Sequence, residues 1–152
     1  KLISAQTISY DKINQLRHVR FLKDRAHTVE LMKRHATIMA PKFHMVLHML
    51  RAELTNKGIA HWHHPTGGYF VCVAAMPGTA KRTLELCRRA GVKLTEAGAT
   101  YPYGVDPLDS YIRIAPSLPP IEELEKAMEV FCVSLKLAAL EKFLGMTFTE
   151  LE

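Results

Sequence analysis

Apolar positions recur every three or four residues through residues 28–56, where Met32, Ala36, Met39, Phe43, Leu47, Leu50 and Leu54 form one stripe. That spacing predicts a long amphipathic helix. Pro41 inside it removes a backbone donor and should kink it, and Gly58 should end it. A shorter helix is predicted over 10–24, with Ser9 placed to cap it and Asp11 favourable in its first turn. The pattern then becomes strand-like. Residues 59–63 and 69–75 are rich in strand formers and flank a Pro65-Thr66-Gly67-Gly68 turn. Thr79 can cap a helix to Ala90 that stops at Gly91. Residues 92–95 and 111–115 read as further short strands, and 97–110, with four Gly or Pro residues, as a long loop. A last helix should start near Pro120, with Glu122 and Glu123 at its positive end and Gly145 as its stop. Its stripe is Ile121, Leu124, Met128, Phe131, Leu135 and Ala138. The order predicts an α+β fold, a small and mostly antiparallel sheet with helices packed on one face.

Composition narrows the class. The 152 residues are 48% hydrophobic and 23% charged, which suits one globular domain and excludes a fibrous or disordered chain. No run approaches the roughly 20 apolar residues of a membrane span, and no secretory signal opens the chain. The chain lacks a starting Met, which suggests a piece of a longer protein or a trimmed one. Cys72, Cys87 and Cys132 are odd in number and far apart, as expected of small core residues in a reducing cytoplasm. Net charge is +5, with +7 on residues 1–67, which also hold all eight histidines, and −2 on residues 68–152. The basic half is expected to be a solvated helix face or a surface meeting an acidic partner domain. The alternative is a stand-alone binding module for an anionic partner such as nucleic acid. The acidic second half and the lack of an aromatic-basic stripe count against it, so no nucleic-acid partner is expected.

Arg113 is the most informative side chain. Alternation sends Ile112 and Ile114 to one face and Tyr111, Arg113 and Ala115 to the other. Its guanidinium fork matches a carboxylate in two parallel charged hydrogen bonds, although an arginine on an open sheet face has the same spacing. His61 and His63 share a strand face, with His64 beside them, but no acidic or cysteine ligand stands close in sequence to complete a metal site. His44 and His48 lie four apart on the long helix. Met45 stands where a zinc-protease helix needs its glutamate, so they are expected on its wet face. Gly67-Gly68 has neither the spacing nor the following helix of a phosphate loop.

Several segments together resemble one family. They are Pro65-Thr66-Gly67-Gly68-Tyr69-Phe70, Ala90-Gly91-Val92, Ala97-Gly98-Ala99-Thr100-Tyr101-Pro102-Tyr103-Gly104, Tyr111-Ile112-Arg113-Ile114-Ala115 and Glu122-Glu123-Leu124. In order and spacing they are similar to the C-terminal small domain of fold-type I, pyridoxal-phosphate-dependent aminotransferases of the aspartate-aminotransferase-like branch. Gln6-Thr7-Ile8 and the run Asn14-Gln15-Leu16-Arg17-His18-Val19-Arg20-Phe21-Leu22 resemble the segment joining that family's two domains. The resemblance implies an interdomain segment and first helix over 1–27 and the small domain over 28–152. It implies amino-group exchange between an amino acid, of aspartate type, and a 2-oxo acid. Arg113 would hold the substrate α-carboxylate, with Tyr69, Tyr101 and Tyr103, together with Phe70 and the rest of the 98–104 loop, lining the substrate side. The Schiff-base lysine, the cofactor's other ligands and most of the homodimer contact would belong to a large domain outside this chain. No catalytic, cofactor-binding or metal-binding residue is assigned here, and the chain alone is expected to be inactive. The same scaffold also hosts β-elimination and decarboxylation.

Overall fold

A computed structural model describes residues 10–145. The chain divides into two compact units, Lys1–Ile38 and Met39–Glu152. In the first, α1 spans Lys12–Leu22, and Asp11 caps it by accepting a hydrogen bond from the Asn14 amide at 2.9 Å. Ser9, the expected cap, lies outside the described residues. None of this unit's described side chains is fully buried.

Helix α2, Arg25–Leu54, runs unbroken through Pro41 and belongs to both units. Its predicted stripe holds only in the second half. Val46, Leu50 and Leu54 are completely or almost completely buried, Phe43 and Leu47 pack partly against the core, and Met32 remains 63% exposed. Four-residue steps from Val46, rather than Leu47, place one side chain per turn directly over the core. His44 and His48 are exposed as expected.

The second unit's sheet is antiparallel, in the order β1 (Ala60–Trp62), β2 (Val71–Ala75), β3 (Tyr111–Ile114). Val73 pairs with Trp62 on one side and Ile112 on the other, while Val71 pairs with Ile114. These side chains share the face that meets the helices. α3 (Ala80–Arg89) adds Ala80 and Cys87 to the core, and α4 (Ile121–Phe143) adds Leu124, Met128, Phe131, Cys132, Leu135 and Ala139. The α+β arrangement is as expected.

Three local expectations need correction. No strand forms over 92–95. Helix α3 ends in a Schellman motif: Gly91 (φ +86°) donates to the Arg88 carbonyl and Val92 to that of Cys87. That turn commits the Val92 amide to the helix end, and Val92 and Leu94 lean on the core without a strand partner. Nor does Thr79 cap α3 through its side chain, since its hydroxyl donates to the Met76 carbonyl. The cap is Asp109, whose carboxylate accepts from Lys81 and whose carbonyl accepts from Thr79 and Ala80. Finally, Ile121 at the start of the last stripe is 40% exposed, although the rest of that stripe is buried.

Arg82 on α3 and Glu141 on α4 fasten these helices. Arg82 donates from Nε and Nη2 to the two carboxylate oxygens of Glu141 at 2.7 and 2.9 Å, and from Nη1 to Glu85 at 3.2 Å. These bonds hold the Glu141 carboxyl below its ordinary value despite its burial. A carboxyl depressed by folding contributes stability that is complete above its unfolded value, 4.5, and is lost as pH falls through the folded one. Glu141→Gln removes the charge of the main partner of Arg82 but leaves Glu85 and one side-chain oxygen, and should cost about 2 kcal/mol at pH 7. Urea unfolding should show the gap from wild type shrinking as pH drops below 4.5; a gap independent of pH would contradict this account.

The 98–104 loop folds on itself. Gly98 is buried at φ +85°, and a Cβ there would lie 2.0 Å from the Gly104 carbonyl oxygen. Gly98→Ala should therefore cost about 2 kcal/mol through backbone strain. Gly67→Ala, with open space around it, should change stability by less than about 0.5 kcal/mol. Thermal unfolding of the two variants side by side checks the contrast.

Candidate functional site

Strand β3 is two-faced. Ile112 and Ile114 are 1% and 2% exposed in the core, which forces Tyr111 and Arg113 to the opposite face, where both are half-buried. Across the ladder Arg113 faces Cys72. The register places residue 70 diagonally from Arg113 on the same face, within reach of long side chains. Phe70 takes that place, with the Arg113 guanidinium carbon 4.4 Å from the centre of its ring.

Arg113 has no carboxylate partner among the described residues, and its Nε is buried without any hydrogen-bond acceptor. A buried donor left unpaired is costly and unusual in folded proteins. The indole N–H of Trp62 is the other such orphan among the described residues, but Trp62 pairs with Val73 on the core-facing side of the sheet.

Tyr101 reaches this face from the long loop. Its ring meets that of Tyr111 edge-on, 5.8 Å apart at 61°. Lost hydration first, and the Asp106 charge second, push its phenol above the usual range. The other two predicted tyrosines stand more openly: Tyr69 is 59% exposed and Tyr103 fully exposed, at φ +60°. The structure thus gathers Tyr101 and Phe70 around the strand that carries Arg113, and shows no ring contact for Tyr69 or Tyr103 among the described residues.

The start of β3 is held by residues the sequence reading passed over. Asp106 accepts hydrogen bonds from the amides of Leu108, Ser110 and Tyr111 at 3.0, 2.8 and 2.8 Å. Burial disfavours its charge, but the amides of Tyr111, Ser110, Leu108 and Asp109 together outweigh that and hold the carboxyl below its ordinary value. An Asp ahead of Pro107 in a turn was the available signal. Beyond the strand, Lys42 on α2 donates to the carbonyls of Ser117 and Pro119 at 2.8 and 2.6 Å and pins the turn into α4.

Cysteine placement also departs from expectation. Cys87 and Cys132 are buried core residues, but Cys72 sits half-buried beside Arg113. Burial raises its thiol, against the pull of the Arg113 charge, so it stays a neutral neighbour. His61, His63 and His64 are exposed, and no three metal-binding side chains gather among the described residues. No described helix is long and apolar enough to cross a membrane.

An aspartate aminotransferase of Corynebacterium glutamicum is 45% identical over 136 residues, which cover 90% of this chain and 32% of that protein. The crystal structure of an aspartate transaminase from Corynebacterium glutamicum superposes with a TM-score of 0.86 at 43% identity, over 93% of this chain and 33% of that one. An α-aminoadipate aminotransferase from Thermus thermophilus shares the fold alone, at a TM-score of 0.72 and 17% identity, over 90% of this chain and 34% of that one. The chain thus spans about a third of the length of these relatives. The profile of the aspartate amino-transferase family matches residues 1–147, and the chain belongs to that family.

Proposed function

We propose that this chain is the C-terminal, carboxylate-binding domain of a pyridoxal-phosphate-dependent aminotransferase that exchanges an amino group between an amino acid, of aspartate type, and a 2-oxo acid. Residues 1–27 are its interdomain segment and first helix, and residues 28–152 its small domain. The observation that carries this reading is the half-buried guanidinium of Arg113, which has no carboxylate partner among the described residues and a buried Nε without an acceptor. A substrate carboxylate supplies the acceptor that the fold withholds, and two parallel bonds fix the orientation of the substrate as well as its position. Tyr101 and Phe70 keep water from one side of that pair, while Tyr69 and Tyr103 are the more exposed members of the lining.

The residues of this chain fit the substrate side of such a site rather than the cofactor. Lys42, Lys136 and Lys142 are engaged with the 117–119 turn, Glu53 and the Pro77 carbonyl. Pyridoxal phosphate, when held by the large domain, supplies the electron sink for the charge left by α-proton removal. The role of Arg113 is to aim the α-hydrogen at the base that removes it.

A partner domain and a second subunit also suit the surface of the first unit. Tyr10, Ile13, Leu16, Val19, Phe21 and Met32 are each between 48% and 69% exposed, and apolar surface of that kind ordinarily marks an interface. The three free cysteines suit a reducing cytoplasm.

In the full-length protein, Arg113→Lys keeps the charge and loses the fork. The transamination kcat/KM should fall by about 2 kcal/mol, roughly thirtyfold. A fall of less than about threefold, with an unchanged melting temperature, would remove the assigned role. Mixed with pyridoxal phosphate and aspartate, the chain alone should release no 2-oxo acid; turnover would place the catalytic lysine within it.

A further inference from the structure

Resting on the carboxylate-binding role of Arg113, we propose that Phe70 is its positioning residue, whose ring holds the flat face of the guanidinium and leaves its N–H edge directed at the substrate. Three observations converge on this. The guanidinium carbon lies 4.4 Å from the ring centre, where the negative face of an aromatic attracts a cation. No carboxylate restrains Arg113 from behind among the described residues, so no ion pair competes with the substrate or dictates the plane of the fork. The strand register itself puts Phe70 and Arg113 on one face as diagonal neighbours, so the contact is built into the sheet.

The choice of a ring over a carboxylate has a chemical consequence. An acidic partner would hold the arginine more tightly, but it would occupy donors and cancel the charge the substrate needs. An aromatic face fixes the plane and spends neither. Phe70 is itself 44% exposed, so the pair remains open to solvent on one side.

The test uses the full-length aminotransferase. Phe70→Leu keeps apolar bulk and loses the π face; KM for both the amino acid and the 2-oxo acid should rise about three- to tenfold, with kcat within twofold. Phe70→Tyr and Phe70→Trp should restore KM. Phenylalanines of increasing fluorination at position 70 keep the shape while draining the ring face, so KM should climb with each fluorine, even if Phe70→Leu folds poorly. On an Arg113→Gln background, Phe70→Leu should add less than twofold. An unchanged KM in Phe70→Leu, or one indifferent to fluorination, overturns the positioning role. If Arg113→Lys is impaired in the same assays, the carboxylate reading survives that loss. Activity indifferent to Arg113→Lys instead removes the carboxylate reading, and this proposal with it.

Discussion

The burial of two isoleucines is the constraint on which the site depends. Ile112 and Ile114 can enter the core only if every other residue of β3 points the opposite way, and the ladder with β2 fixes the register. Slipping that register by one residue would drive a charged guanidinium into the core that Phe131 and Met128 help to fill, and would expose both isoleucines. The core therefore specifies the direction of Arg113 more strictly than any polar contact could, because so much apolar area opposes the alternative. The knots at either end of the strand, Asp106 with three amides and Lys42 with two carbonyls, then limit how far it can slide or tilt.

Much of this was legible beforehand, for reasons that differ by element. The last helix and β3 announce themselves because their periodicities, 3.6 and 2, are uninterrupted and their burial follows suit. The long helix was legible along its length, but its apolar stripe meets burial only in the second half. Its apolar residues before Met39 continue the same spacing but are not fully buried, and periodicity reports amphipathicity without naming what covers it. The missing strand at 92–95 fails for a local reason: Val92 and Leu94 alternate as a strand would, yet the Gly91 turn claims the Val92 amide first. The caps were the hardest to read. Thr79 has the right side chain at the right place, but Asp109, 28 residues beyond Lys81 along the chain, reaches the amides at the start of α3, and no local pattern encodes that meeting. At the site, alternation alone placed Arg113. The nearness of Phe70 and Cys72 required the β2–β3 register, which sequence spacing does not supply.

The two arginines of this unit that are at least half-buried make a comparison internal to the molecule. Arg82 is what folding does with a guanidinium it needs for stability: two bonds to Glu141, a third to Glu85, and pKa values of acid and base driven apart. Arg113, in the same unit, is given an aromatic face and no acceptor for Nε. A fold able to satisfy one arginine so fully does not leave another unsatisfied for want of carboxylates; Asp106 and Asp109 stand a few residues away and are committed to backbone amides instead. The unpaired Nε of Arg113 lies on the face of the sheet opposite the core, while the other orphan donor among the described residues, the indole N–H of Trp62, lies on the core side. On the proposed reading, a carboxylate bound by this guanidinium meets a group the fold has already partly stripped of water, so part of the desolvation cost is met before the ligand binds. That is the physical content of preorganisation, and the proposed carboxylate-binding role of Arg113 rests on it.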